Sequence, residues 1–148
     1  MKSPFRLPTQ RATEVVFQAA QEAIRTGAEE VEPDHILLAL TEQPESMAGR
    51  ILTGFGVSLA VVRDRLEAPP AAECSRSPGE GLLMSADAQL AVDYAYQEAC
   101  GLGNLFIGVE HLLLGLLRCP NCEAERILGA LGVDAARFRE GIHRMKWG

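Results

Sequence analysis

Apolar residues recur at helical spacing along most of the chain, and the pattern then runs a second time. Ala12, Val15, Val16, Ala19, Ala20 and Ala23 share one face of a predicted first helix, with Thr9 placed to cap its start and Gly27 to stop it. That face is built of small residues and suits close packing. A second helix starts near Pro33, whose missing N–H is harmless at a first helical position, and carries Ile36, Leu37, Leu38 and Leu40. After Pro44 a third helix runs from about Glu45 to Thr53, with Met47, Ala48, Ile51 and Leu52 inward, and Gly54 and Gly56 end it. Val57 to Glu67 forms a short fourth helix holding Leu59, Val62 and Leu66.

An offset of 76 positions, the separation of His35 and His111, lays the same order over the second half without a gap. Gln21-Glu22-Ala23 falls on Gln97-Glu98-Ala99, Leu37-Leu38 on Leu113-Leu114, Arg50-Ile51-Leu52 on Arg126-Ile127-Leu128, Gly56-Val57 on Gly132-Val133, and Arg63 on Arg139. Roughly a third of Thr9 to Leu66 is repeated, which marks a duplicated fold unit. The second copy predicts helices over Ala88–Ala99, Val109–Leu117, Cys122–Leu131 and Asp134–His143, with Ser85 as the first cap. The fold class is therefore all-α: two four-helix repeats, 9–67 and 85–143, packed into one domain of eight helices and joined by a Pro/Gly-containing linker over 68–84. Trp147, in the tail, is placed to cover an edge of the core.

Composition narrows the function. At 148 residues the chain is long enough to bury a core without disulfides or metals, whereas each half alone would be marginal. The net charge of −6 and the scattered arginines argue against a nucleic-acid binder. Met1-Lys2-Ser3-Pro4 leads into no apolar stretch of signal length and no run is long enough to span a bilayer, so a soluble, cytoplasmic protein with no membrane partner is expected. Cys74, Cys100, Cys119 and Cys122 have no counterparts in the first half and read as thiols in a reducing compartment.

The run Gly108-Val109-Glu110-His111-Leu112-Leu113-Leu114-Gly115-Leu116-Leu117-Arg118, followed by Ala124-Glu125-Arg126-Ile127-Leu128 and Leu131-Gly132-Val133-Asp134, closely resembles the amino-terminal double repeat of the Clp family of AAA+ unfoldases, the ClpC type in particular. The resemblance covers Thr9 to Ile142. It implies a pseudo-twofold helical module that docks substrates, adaptor proteins and, in ClpC-type relatives, phosphorylated arginine side chains. The only lysines are Lys2 and Lys146, so no Gly-x-x-x-x-Gly-Lys-Ser/Thr phosphate loop is present and the chain is not the ATP-hydrolysing part. It reads as an excised domain or a stand-alone relative, acting as an adaptor, an accessory subunit or a decoy for ligands such as cyclic-peptide antibiotics, with no cofactor.

Glu110 and its counterpart Asp34 are the foremost ligand-binding candidates, since both fall in the first turn of the second helix of their repeat. There a carboxylate can pair with a guanidinium while nearby N–H groups receive a phosphate. The same acids also serve simply to complement the helix dipole. Around Asp34 the resemblance weakens: Pro33 stands for a threonine, Glu32 for a glycine, and the acid is one methylene shorter, so this pocket is expected to have lost its ligand. Thr9 and Ser85 lie where the family has a capping threonine that helps line the pockets, and both also read as plain caps. Neither Gln10-Arg11-Ala12-Thr13 nor Ala86-Asp87-Ala88-Gln89 keeps the family's usual basic residues, so less positive charge is expected for a phosphate.

His35 and His111 sit at the third position of a helix beside leucines and read as packed or capping residues. Cys119-Pro120-Asn121-Cys122 departs from the family's loop; it reads as a pair of incidental surface thiols, with a redox pair or half a zinc site as the alternative. Gly56-Val57 and Gly132-Val133 read as helix stops followed by an apolar residue folding back onto the core. No nucleophile, base and oxyanion donor converge, so no enzyme is expected.

Overall fold

The computed structural model describes residues 7–43, 45–66, 83–101, 103, 106–120 and 122–147. In chain order the elements are β1 (Leu7–Pro8), α1 (Gln10–Arg25), α2 (Pro33–Thr41), α3 (Met47–Gly54), α4 (Leu59–Leu66), α5 (Ala86–Gly101), β2 (Phe106–Ile107), α6 (Val109–Arg118), α7 (Glu123–Ala130) and α8 (Ala135–Trp147). The all-α, duplicated architecture read from the sequence is present. The expected linker lies almost entirely outside the described residues, as do Cys74 and the side chain of Trp147.

Local chemistry sets the helix ends. Thr9 accepts the Ala12 N–H at 3.1 Å and Ser85 accepts the Ala88 N–H at 3.1 Å, so α1 and α5 are capped identically at their starts. At Gly56 and Gly132 the chain turns through φ of +80° and +88°, and the N–H of Val57 then reaches back to Leu52 and that of Val133 to Leu128. Both valines are buried. α3 begins two residues later than the periodicity suggested because Ser46 makes the cap, accepting the Gly49 N–H at 3.0 Å.

Helices α2 and α6 form the centre. Ile36 to Leu40 and Leu112 to Leu116 are all buried, as expected for helices that are apolar on every side. Each touches helices of both repeats, α2 reaching α5, α6 and α7 and α6 reaching α1, α2 and α3, so the halves share one core. Gly115 lets α6 lie directly on α5: a Cβ there would collide with the Ala91 carbonyl and come within 2.9 Å of the Ala95 nitrogen.

The duplication also carries its ion pairs between helices. Glu22 on α1 is buried and holds Arg63 of α4 at 3.0 Å, with Arg25 at 3.1 Å; its counterpart Glu98 on α5 holds Arg139 of α8 at 2.9 Å, with Arg118 at 3.0 Å. In each repeat one acid ties the last helix to the first. Arg118 also lies over the Tyr94 ring, 4.4 Å from its centroid.

Two short parallel pairings, invisible to the helical periodicity, join the repeats. β1 pairs with β2, matching Leu7 to Phe106 and Pro8 to Ile107, and Val31 bridges to Met84 in the same sense. Each lead-in to the first helix of one repeat thus lies beside the lead-in to the second helix of the other.

Candidate functional site

The strand exchange decides where the candidate residues go. The Thr9 N–H donates to the Ile107 carbonyl at 2.9 Å, which places the start of α1 beside the start of α6. Thr9 and Glu110, from different repeats, therefore line one cavity of about 330 Å³ together with Arg11, Met47, Phe106 and Gly108. Two helix N-termini converge there, each presenting the positive end of its dipole. Val109 opens α6, and its N–H has no acceptor among the described residues.

Gly108 leaves room for the Glu110 side chain. The Glu110 carboxylate folds over Gly108, in the space a Cβ would take. His111 fixes the turn from behind: its Nδ1 accepts the Gly108 N–H at 2.8 Å, and its ring is buried. His35 does the same for Glu32, accepting its N–H on Nδ1 at 2.9 Å, with Nε2 3.5 Å from the Thr26 hydroxyl. Burial lowers the His35 pKa, against the opposing pull of Glu32 and Glu22, which favours the neutral ring this bond requires. Both histidines are capping groups, as the sequence suggested.

Arg11, Met47 and Phe106 were not among the sequence candidates. Arg11 is paired with Glu45 at 2.9 Å on an exposed edge and brings one guanidinium to the cavity, in a segment where less positive charge was expected for a phosphate. Phe106 is 52% exposed, a large apolar ring held at the cavity by strand pairing. The signal available in the sequence was the aromatic residue just ahead of the Gly-Val-Glu-His run.

The other two candidates, Ser85 and Asp34, occupy the positions equivalent to Thr9 and Glu110 at the 76-residue offset. Ser85 donates its N–H to Val31 at 2.9 Å, repeating the Thr9 bond, three residues ahead of Asp34. The surroundings differ in sign. At the 76-residue offset, Asp87 stands for Arg11, Glu123 for Met47, Glu30 for Phe106 and Glu32 for Gly108. The Asp34 carboxyl is raised above its ordinary value, chiefly by burial and further by Glu32 and Glu123, while its backbone hydrogen bond and Arg126 pull the other way. An anion would meet several carboxylates here.

Cys119 and Cys122 are buried, not surface thiols. The Cys122 thiol donates to the Cys119 carbonyl at 3.4 Å, as the Ser46 hydroxyl donates to Gln43 at 2.8 Å in the first repeat. Cys122 is thus the counterpart of a capping serine at the start of α7, although it makes no cap bond to that helix. The Cys119 thiol points to the Asp87 carbonyl at 3.6 Å and is pushed up to about 12, first by burial and then by Cys122. Among the described residues no group of three or more His, Cys, Asp or Glu side chains could hold a metal ion. Among them also, no helix is long and apolar enough to cross a membrane.

Comparison with known proteins adds the lineage. Residues 7–81 and 83–146 each match the Clp repeat (R) N-terminal domain. The chain is 31% identical over 140 residues to the negative regulator of genetic competence ClpC/MecB of Bacillus subtilis and 30% identical over 134 residues to chaperone protein ClpB of Oceanobacillus iheyensis. Each alignment takes in 90% of this chain and 16% of the relative, so the chain spans about a sixth of their length. The fold superposes with a TM-score of 0.75 on the N-terminal domain of ClpD from Arabidopsis thaliana, at 21% identity and 98% coverage of both chains. A ClpV N-domain in complex with a VipB peptide superposes at 0.67, with 19% identity, covering 97% of this chain and 94% of that one.

Proposed function

The chain belongs to the Clp repeat (R) N-terminal domain family, and on that premise we propose that it is a non-enzymatic docking module of a Clp unfoldase or protease system, whose working site is the cavity between Thr9 and Glu110. Both repeats, 9–67 and 85–143, act as one domain, because each contributes one of those two residues. The ligand is a segment of a substrate or adaptor protein, and the side chain best matched to the cavity is phosphoarginine. Glu110 would take the guanidinium, and the phosphate would face Arg11 and the two helix N-termini. Met47 and Phe106 supply apolar surface for flanking residues. The observation that carries this reading is the meeting of Thr9 and Glu110 across the strand pairing. Ser85 and Asp34 form a vestigial counterpart, because an anion there would face the carboxylates of Glu32 and Glu123 beside an Asp34 carboxyl raised chiefly by burial and further by those two acids.

The test is calorimetric titration with a phosphoarginine peptide and its unmodified twin, repeated on Glu110→Ala and Asp34→Ala. Selective binding that disappears in Glu110→Ala and persists in Asp34→Ala is expected. Equal binding of both peptides would remove phosphoarginine from the account. Binding lost only in Asp34→Ala would move the site to the other repeat.

A further inference from the structure

A second cavity lies elsewhere, between α3 and α8, an open trough of about 540 Å³. At its floor α8 comes close to α3: a Cβ on Gly141 would stand 3.1 Å from the Ile51 Cγ2, a tight contact. Gly54, at the end of α3, faces open space, with nothing within 4 Å of where its Cβ would be. Phe55 and Met145 complete an apolar trough, and Met145 is 38% exposed.

The rim has a definite charge. Arg50, Arg137 and Arg144 line the trough and Glu140 is the one carboxylate among its lining residues, in a chain whose net charge is −6. Glu140 is taken by Arg144, while the Arg137 guanidinium makes two long contacts, 3.8 Å to Asp134 and 3.5 Å to the Gly132 carbonyl. Among the described residues the Arg50 guanidinium has no hydrogen-bond or ion-pair partner. Exposed guanidiniums around an apolar floor match a chain segment with an apolar anchor between carboxylates.

We propose that the trough between α3 and α8 is a second docking site, which takes an acidic amphipathic segment of a partner protein: the apolar anchor sits over Ile51, Gly54 and Met145, and its flanking carboxylates pair with Arg50 and Arg137. The site is separate from the Thr9–Glu110 cavity, although α3 connects them, Met47 lining one and Arg50 to Phe55 the other. A partner bound at one is within reach of the other along a helix of about 12 Å.

The experiment uses the intact chain and a short synthetic peptide that places leucine and phenylalanine between aspartates and glutamates. Controls replace the apolar residues by serine or the acids by lysine. Fluorescence anisotropy is expected to show binding that weakens with salt, and amide shifts are expected at Ile51, Gly54, Phe55 and Gly141. Arg50→Glu, an exposed substitution, weakens it about fivefold or more, the effect of turning an attractive surface pair into a repulsive one. Gly54→Leu fills the trough from its open side and abolishes binding without touching the core, while Glu110→Ala leaves it unchanged. Equal affinity for the serine or lysine controls, shifts centred on Thr9 and Gly108, or full binding by both Arg50→Glu and Gly54→Leu would overturn the proposal.

Discussion

Thr9 and Ile107 share a backbone hydrogen bond of 2.9 Å, and 76 residues away Ser85 and Val31 share another of the same length. These two bonds cross between repeats in opposite directions, so each site combines a cap from one repeat with an acid from the other. Neither half of the chain contains both residues of either candidate pair.

Glu22 is expected to be the most consequential surface-linked acid of the first repeat. It is buried, yet it holds two arginines that remain partly exposed. Glu22→Ala should cost about 1–3 kcal/mol, between the values for surface and buried pairs. Arg63→Ala should cost less, since Arg25 still neutralises the acid. Urea unfolding of both variants and of the double mutant gives the coupling.

Gly115→Ala tests the α5–α6 contact. Alanine raises helix propensity by about 1 kcal/mol, but its methyl group would overlap the Ala91 carbonyl, and backbone on both helices must move. Overpacking of this kind costs roughly 1–3 kcal/mol, so a net loss of stability is expected in thermal unfolding. A gain would mean that the two helices are further apart than described.

Asp34 makes stability depend on pH. Its folded-state pKa lies above the ordinary carboxylate value, so the native state keeps the proton longer than the unfolded chain. The penalty is absent below the unfolded pKa and grows as pH rises through the folded one. Asp34→Asn should therefore melt higher than the parent at pH 7, with the difference vanishing at acidic pH.

The cysteine pair should be chemically quiet. Thiolate is the reactive form, and burial holds Cys119 as a thiol, pushed up to about 12. Brief alkylation of the native protein followed by peptide mass spectrometry should leave Cys119 and Cys122 unmodified, while the half-buried Cys100 reacts. Rapid labelling of Cys119 would restore the redox reading.

The sequence was informative where it repeats and where its period is helical. Thr9, Ser85, Gly56 and Gly132 could be placed from residue type alone because caps and stops are local chemistry. The strand pairings were not legible, since two-residue strands have no periodicity and their partners lie in the other repeat. For the same reason the resemblance nominated Thr9 and Glu110 as pocket-lining residues without showing that this cap meets this acid across the repeats, and Arg11, Met47 and Phe106 were missed. Cys122 was misread from its motif, although the offset already aligned it with Ser46, whose hydroxyl closes the same turn.

The central claim, that one site spans the repeats and its counterpart does not work, is tested most directly by amide chemical-shift mapping with a phosphoarginine peptide. Shifts gathered at Thr9, Arg11, Gly108 and Glu110, with Ser85, Glu32 and Asp34 still, are the predicted result. Shifts of equal size at both sets, or confined to Ser85 and Asp34, would contradict it.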